Sequence, residues 1–139
     1  MSLSEYISPL VGRLVLAWYF AGQAWLFSHR WDNSIADLAA RHVPVPALVL
    51  VVALTIMVLG AVALVFGFQT RHAAMLLFAL VLIASVSLHD FWQLQGAPRD
   101  AEFAIFARNM AIAGGLLVIV GLGPGRFAID NRAGRGRGH

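Results

Sequence analysis

Apolar residues fall into four long runs along this chain, at 9–27, 46–68, 72–91 and 103–122. Each is about 19–23 residues, the length an α-helix needs to cross a ~30 Å hydrocarbon core at 1.5 Å per residue. The runs are apolar on every side and lack the charged outer face of a helix in a water-soluble core. The pattern therefore predicts an all-α integral membrane protein, a four-transmembrane-helix bundle. The connection over 28–45 has its own periodicity: Ile35, Leu38, Ala39 and His42 share one helical face, and Asp37 and Arg41 stand at i, i+4 on another. It predicts a short interfacial helix capped by Asp32 or Ser34, with Pro44 and Pro46 ending it and starting the second span. Residues 93–102, with Gly96 and Pro98, read as a turn. One domain is expected over 1–130, with 131–139 as a flexible Arg/Gly tail.

Composition strengthens this reading. Apolar residues make up 60% of the 139 and charged residues 12%, about half the charged share usual in soluble domains. So small a chain cannot bury that much apolar surface in water. There is no cysteine, which excludes disulfides, thiol relays and cysteine metal sites. The net charge of +3 comes from arginines near helix ends and in the tail. It points to lipid contact and topology, and no soluble basic face remains for nucleic acid. Arg71, Arg126, Arg132, Arg135 and Arg137 fall on one side of the membrane, against Arg30, Arg41 and Arg99 on the other. The bias predicts cytoplasmic termini. Residues 1–9 hold no Lys or Arg, so the first run reads as a retained span and not a signal peptide.

Candidate chemistry gathers at the end of the third run. Ser85, His89 and Trp92 lie on one helical stripe, and Asp90 sits beside it. Arg108 and Asn109 open the fourth run at a similar depth, so an Asp90–Arg108 pair is expected, with His89 donating to Asn109 or Ser85. Two readings are open: a polar lock at the outer mouth, or His89 and Asp90 as catalytic proton donor and acceptor. In the second, Trp92, Arg108 and Asn109 would hold a ligand. Arg13, about one turn inside the first run, either snorkels to lipid phosphate or clamps an anion or headgroup. Tyr19 and Gln23 should face other helices. Ala107, Ala111 and Gly115 form a stripe expected to pack against a neighbour, as do Gly60 and Gly67. No metal site is expected. His72 and His89 are about 25 Å apart along one helix, and His29, His42 and His89 have no ligand spacing. The glycines at 121, 123 and 125 follow an apolar span instead of a strand and fail as a nucleotide loop.

Six segments together resemble the DoxX family of small four-span bacterial membrane proteins: Gly12-Arg13, Val43-Pro44-Val45-Pro46-Ala47, Gly67-Phe68-Gln69-Thr70-Arg71, Leu88-His89-Asp90-Phe91-Trp92, Phe106-Ala107-Arg108-Asn109-Met110-Ala111, and Gly123-Pro124-Gly125-Arg126-Phe127. The resemblance implies a bundle in the bacterial cytoplasmic (inner) membrane. It further implies an accessory or anchoring subunit of a redox complex, contacting quinone or lipid and other membrane subunits. A stand-alone quinone-linked oxidoreductase using His89, or a ligand-free scaffold for a partner protein, are the alternatives. Trp25 and Met57 stand where that family often has a Lys and a Glu, which removes one candidate quinone or proton site.

Overall fold

The computed structural model describes residues 2–89 and 91–135. Four helices are long and apolar enough to cross a membrane: α1 (Leu3–His29), α3 (Pro46–Phe66), α4 (Thr70–Leu88) and α5 (Ala97–Leu122). Two short helices accompany them, α2 (Trp31–Ala40) and α6 (Ile129–Arg135), and a single 3₁₀ turn covers Phe91–Gln93. The chain is an all-helical four-span membrane bundle, as the apolar pattern predicts. The long helices pack in the order α1, α3, α4, α5, with a lighter contact between α1 and α5.

The core is narrow. Phe20 of α1, Leu64 of α3, Leu77 of α4 and Leu116 of α5 are almost fully enclosed. Outside it, Leu14, Trp18, Leu59, Leu76, Ile83 and Val118 all lie exposed. In water this apolar jacket would be a large penalty; in lipid it is the solvent-matched surface. Gly60 is the notch that lets α3 meet α4, since a Cβ there would stand 2.7–2.8 Å from the end of Leu77. The stripe Ala107, Ala111 and Gly115 splits: Gly115 is half-buried and lies against Leu16 of α1, while the two alanines do not face the core. Ala107 and Ala111 are exposed, and the buried face of α5 is Asn109, Ala113, Leu116 and Ile119. Small residues permit a close approach but do not choose the side on which it happens.

Two ends of the bundle follow from the antiparallel order. The near end holds the start of α1, the α3–α4 turn, the end of α5 and α6. The far end holds α2, the end of α4 and the start of α5. At the far end α2 is present but begins earlier than the predicted caps, directly after Arg30. Ser34 is buried inside it and its hydroxyl donates to the Phe27 carbonyl at 3.5 Å. α5 also starts earlier than the apolar run. Gly96 (φ 72°) precedes it and Pro98 lies in its first turn, where a missing N–H costs nothing. At the near end Gly67 (φ 68°) stops α3, and its N–H bonds to the Ala63 carbonyl at 2.8 Å. α6 takes up residues that the sequence pattern assigns to the domain boundary and tail.

Candidate functional site

At the far end His89 ends α4. Its backbone N–H still bonds to the Ser85 carbonyl at 3.2 Å, and its side chain leaves the helix. Nδ1 lies 2.6 Å from Oε2 of Glu102, on the second turn of α5. Because a carboxylate can only accept, the ring donates through Nδ1. Glu102 also faces Arg41, whose Nη2 is 3.7 Å from Oε1. The same guanidinium donates through Nη1 to the Leu88 carbonyl, one of the last carbonyls of α4. Arg41, Glu102 and His89 therefore tie the end of α2 to the end of α4 and the start of α5.

This differs from the expected grouping. Glu102, not Asn109 or Ser85, meets His89. Arg108 and Asn109 lie six and seven residues further along α5, about 9–10 Å deeper by helical rise. Arg108 stands over the ring of Tyr19 at 5.8 Å and so joins α5 to α1. Asn109 is buried on the core face of α5. Trp92 is in the 3₁₀ turn and about half exposed. Asp90 lies outside the described residues. Trp25 is 67% exposed and lies against the ring of His29 at 3.8 Å between centroids, while Met57 packs on the core. Glu102 was legible: Pro98 followed by Asp100 is the pattern of a helix start, which would have drawn the helix over residue 102.

The near end holds the most deeply buried charge. Arg13 is 1% exposed, on the same face of α1 as Ala17, Phe20 and Ala24. It neither snorkels nor reaches lipid. Its guanidinium lies against Gly67, where a Cβ would come within 2.0 Å of Nη1. None of its three nitrogens has a hydrogen-bond partner among the described residues. The charge that faces it is Asp130 of α6. Asp130 accepts from the backbone N–H of Gln69 at 2.7 Å and of Thr70 at 2.9 Å. It thereby caps α4 from a distant helix. In return its own N–H donates to the Gly67 carbonyl at 2.9 Å. Burial pushes the Asp130 carboxyl up, but the Thr70 and Gln69 N–H groups and the Arg13 charge outweigh it. The carboxyl is held below its ordinary value.

Between α1 and α3 a groove of about 420 Å³ opens on the outside of the bundle, toward the far end. The buried Ala24 and Ala61 make its floor, the exposed Ala21, Trp25, Val58 and Val62 its walls, and Ser28 and His29 its polar end. Among the described residues no cluster of three His, Asp or Glu side chains could hold a metal ion.

A family model described as the SURF4 family matches residues 38–135. Inner membrane protein YphA of Escherichia coli is 30% identical over 102 residues, covering 73% of each chain. Inner membrane protein YqjF of the same organism is 27% identical over 130 residues, 94% of this chain and 95% of that one. ER-derived vesicles protein ERV29 of Saccharomyces cerevisiae is 25% identical over 75 residues, 54% of this chain but 24% of its own length. The chain therefore spans about a quarter of that relative. No solved structure matches. These matches overturn the DoxX resemblance, and with it the redox-subunit and quinone reading, since none of these relatives is named for redox chemistry. The segments that suggested DoxX are mostly helix ends and turns: Gly67–Arg71 is the α3–α4 turn, Leu88 and His89 the end of α4, Phe91 and Trp92 the 3₁₀ turn, and Gly123–Phe127 the exit from α5. Such positions report a four-span architecture, which different families can share.

Proposed function

The chain belongs to the SURF4 family, and we propose on that premise that it is a membrane-embedded binding protein that holds a polypeptide partner. The groove between α1 and α3 carries this reading. Its floor of alanines admits a ridge from another helix, and in lipid such close packing is the main force between helices. The relatives are named for a bacterial inner membrane and for ER-derived vesicles. A task built on helix packing fits both settings better than one tied to a particular electron carrier. The inner-membrane relatives support the same location here, and the excess of arginine at the near end supports cytoplasmic termini. In this reading Arg41, Glu102 and His89 latch α2 over the far end, and Arg108 with Tyr19 holds α1 to α5.

The test is a photo-crosslinking side chain at Val62 in the groove, with Val118 on the outer face of α5 as the control. Val62 should give a discrete protein adduct in native membranes, and Ala21→Trp should remove it by filling the groove. Equal adducts at both positions, or lipid alone at Val62, would sink the partner reading. Topology is checked separately. With no native cysteine, a Cys at Gly96 should react with an impermeant maleimide on intact cells and one at Arg132 should not.

A further inference from the structure

The near end carries a second cavity, of about 310 Å³. It is walled by Tyr6 and Pro9 of α1, Arg71 in the first turn of α4, the turn that follows α5, and Asn131 of α6. Gly125 makes the enclosure. Its φ is 83°, and a Cβ there would stand 2.6 Å from Cβ of Pro9, so only glycine brings this turn down onto α1. Asn131 pins the turn by donating from Nδ2 to the Gly125 carbonyl at 2.6 Å.

Two guanidinium groups line this space. Arg126 donates from Nη1 to the Tyr6 hydroxyl at 2.9 Å and stands 4.9 Å over the same ring, which fixes its direction and leaves most of its donors open. Arg71 lies against Gly123 and has neither a hydrogen bond nor an ion pair among the described residues. Glu5 is the one acid of the lining, and it forms no ion pair with either arginine among the described residues. Asp130, the acid of α6, is engaged by the N–H groups of Gln69 and Thr70. Leu122, beside the cavity, is 84% exposed, so the mouth lies where the apolar jacket ends.

We propose that this cavity binds a phosphate-bearing anion, as an anionic phospholipid headgroup or a soluble phosphate presents it. Arginine forks match phosphate oxygens two at a time, and the volume suits a small polar group. The site is distinct from the α1–α3 groove and does not rest on the partner reading.

The full chain, purified in uncharged detergent, is titrated by thermal unfolding with phosphatidylglycerol, with phosphatidylcholine, and with sodium phosphate against sodium chloride at equal ionic strength. Phosphatidylglycerol should raise the melting temperature where phosphatidylcholine does not, and Arg71→Gln with Arg126→Gln should weaken that apparent affinity about tenfold or more. Stabilisation by sodium phosphate as well would assign the site to soluble phosphate; its absence, to the lipid headgroup. Arg71→Gln alone removes no hydrogen bond or ion pair among the described residues and reads the same loss if the double variant does not fold. Arg132→Gln, outside the cavity, should change nothing. Equal response to both lipids with no response to phosphate would overturn the proposal. So would an equal loss on Arg132→Gln, which would mean diffuse surface charge.

Discussion

The two ends of the bundle solve one problem with similar parts in different solvents. Each joins helices through an arginine, a carboxylate and exposed helix-end backbone. At the far end the Arg41, Glu102 and His89 side chains retain 35%, 22% and 19% exposure. At the near end Arg13 retains 1%. Partly hydrated ion pairs contribute about 0–1 kcal/mol, because water already satisfies the separated charges. Arg13 and Asp130 make no ion-pair contact among the described residues, yet an arginine this enclosed has little else to face, so loss of the facing carboxylate should cost more than loosening a hydrated pair, about 1–3 kcal/mol. The chemically suggestive end is therefore the energetically lighter one, and the end built around Arg13 holds the fold.

The largest effect should come from removing the space that Arg13 uses. Gly67→Ala places a Cβ 2.0 Å from Nη1 and 2.5 Å from Cβ of Ala128, at a backbone φ of 68° that alanine disfavours. Neither obstacle is the loose end of an exposed chain. The variant should lose more than about 3 kcal/mol, seen as a large fall in melting temperature in detergent. A wild-type melt would refute the account of the near end as the tightly fitted one.

Asp130→Asn should rank next. It leaves an oxygen for one backbone N–H, weakens the cap on α4 and removes the charge that faces Arg13, and a loss of about 1–3 kcal/mol is expected. The same carboxylate predicts an acid limit. Its folded-state value lies below the ordinary 3.8. Its contribution is therefore complete above that ordinary value and fades as pH falls through the lower folded value. Acid titration of thermal stability should show a loss beginning below about pH 4 that Asp130→Asn lacks. A wild type and variant that fall in parallel would remove Asp130 as its source.

The sequence made the spans legible because lipid imposes an all-round apolar pattern over a fixed length. It hid the near-end cluster because Arg13 and Asp130 are 117 positions apart and share no local periodicity. α6 is seven residues long, too short to announce itself by pattern, yet it brings Asp130 to the N-terminus of α4. At the far end His89 closes the third span as expected, but its expected partners Asn109 and Ser85 give way to the carboxylate of Glu102. Taking 93–102 as a turn moved Glu102 off α5, and Arg108 then seemed level with His89. One helix start, read from Pro98 and Asp100, decides which residue faces the histidine. The stripe Ala107, Ala111 and Gly115 meets α1 only at Gly115 for another reason: residue size tells where helices can approach, while burial depends on neighbours elsewhere in the chain.

The smallest predicted effect sharpens the contrast from the other side. His89→Ala removes one contact, a 2.6 Å bond between two partly exposed groups. A loss of about 0.5–1 kcal/mol is expected, reduced further by salt. Glu102→Gln should cost somewhat more, because Glu102 also faces Arg41. In the double variant the losses should not add, since both substitutions weaken the same His89–Glu102 contact. Melting curves of the three variants at low and high salt test this directly. Sub-additive, salt-sensitive losses fit a hydrated latch. A His89→Ala loss as large as that of Asp130→Asn would mean that the far end is sealed from water, and that the distinction drawn between the two ends is wrong.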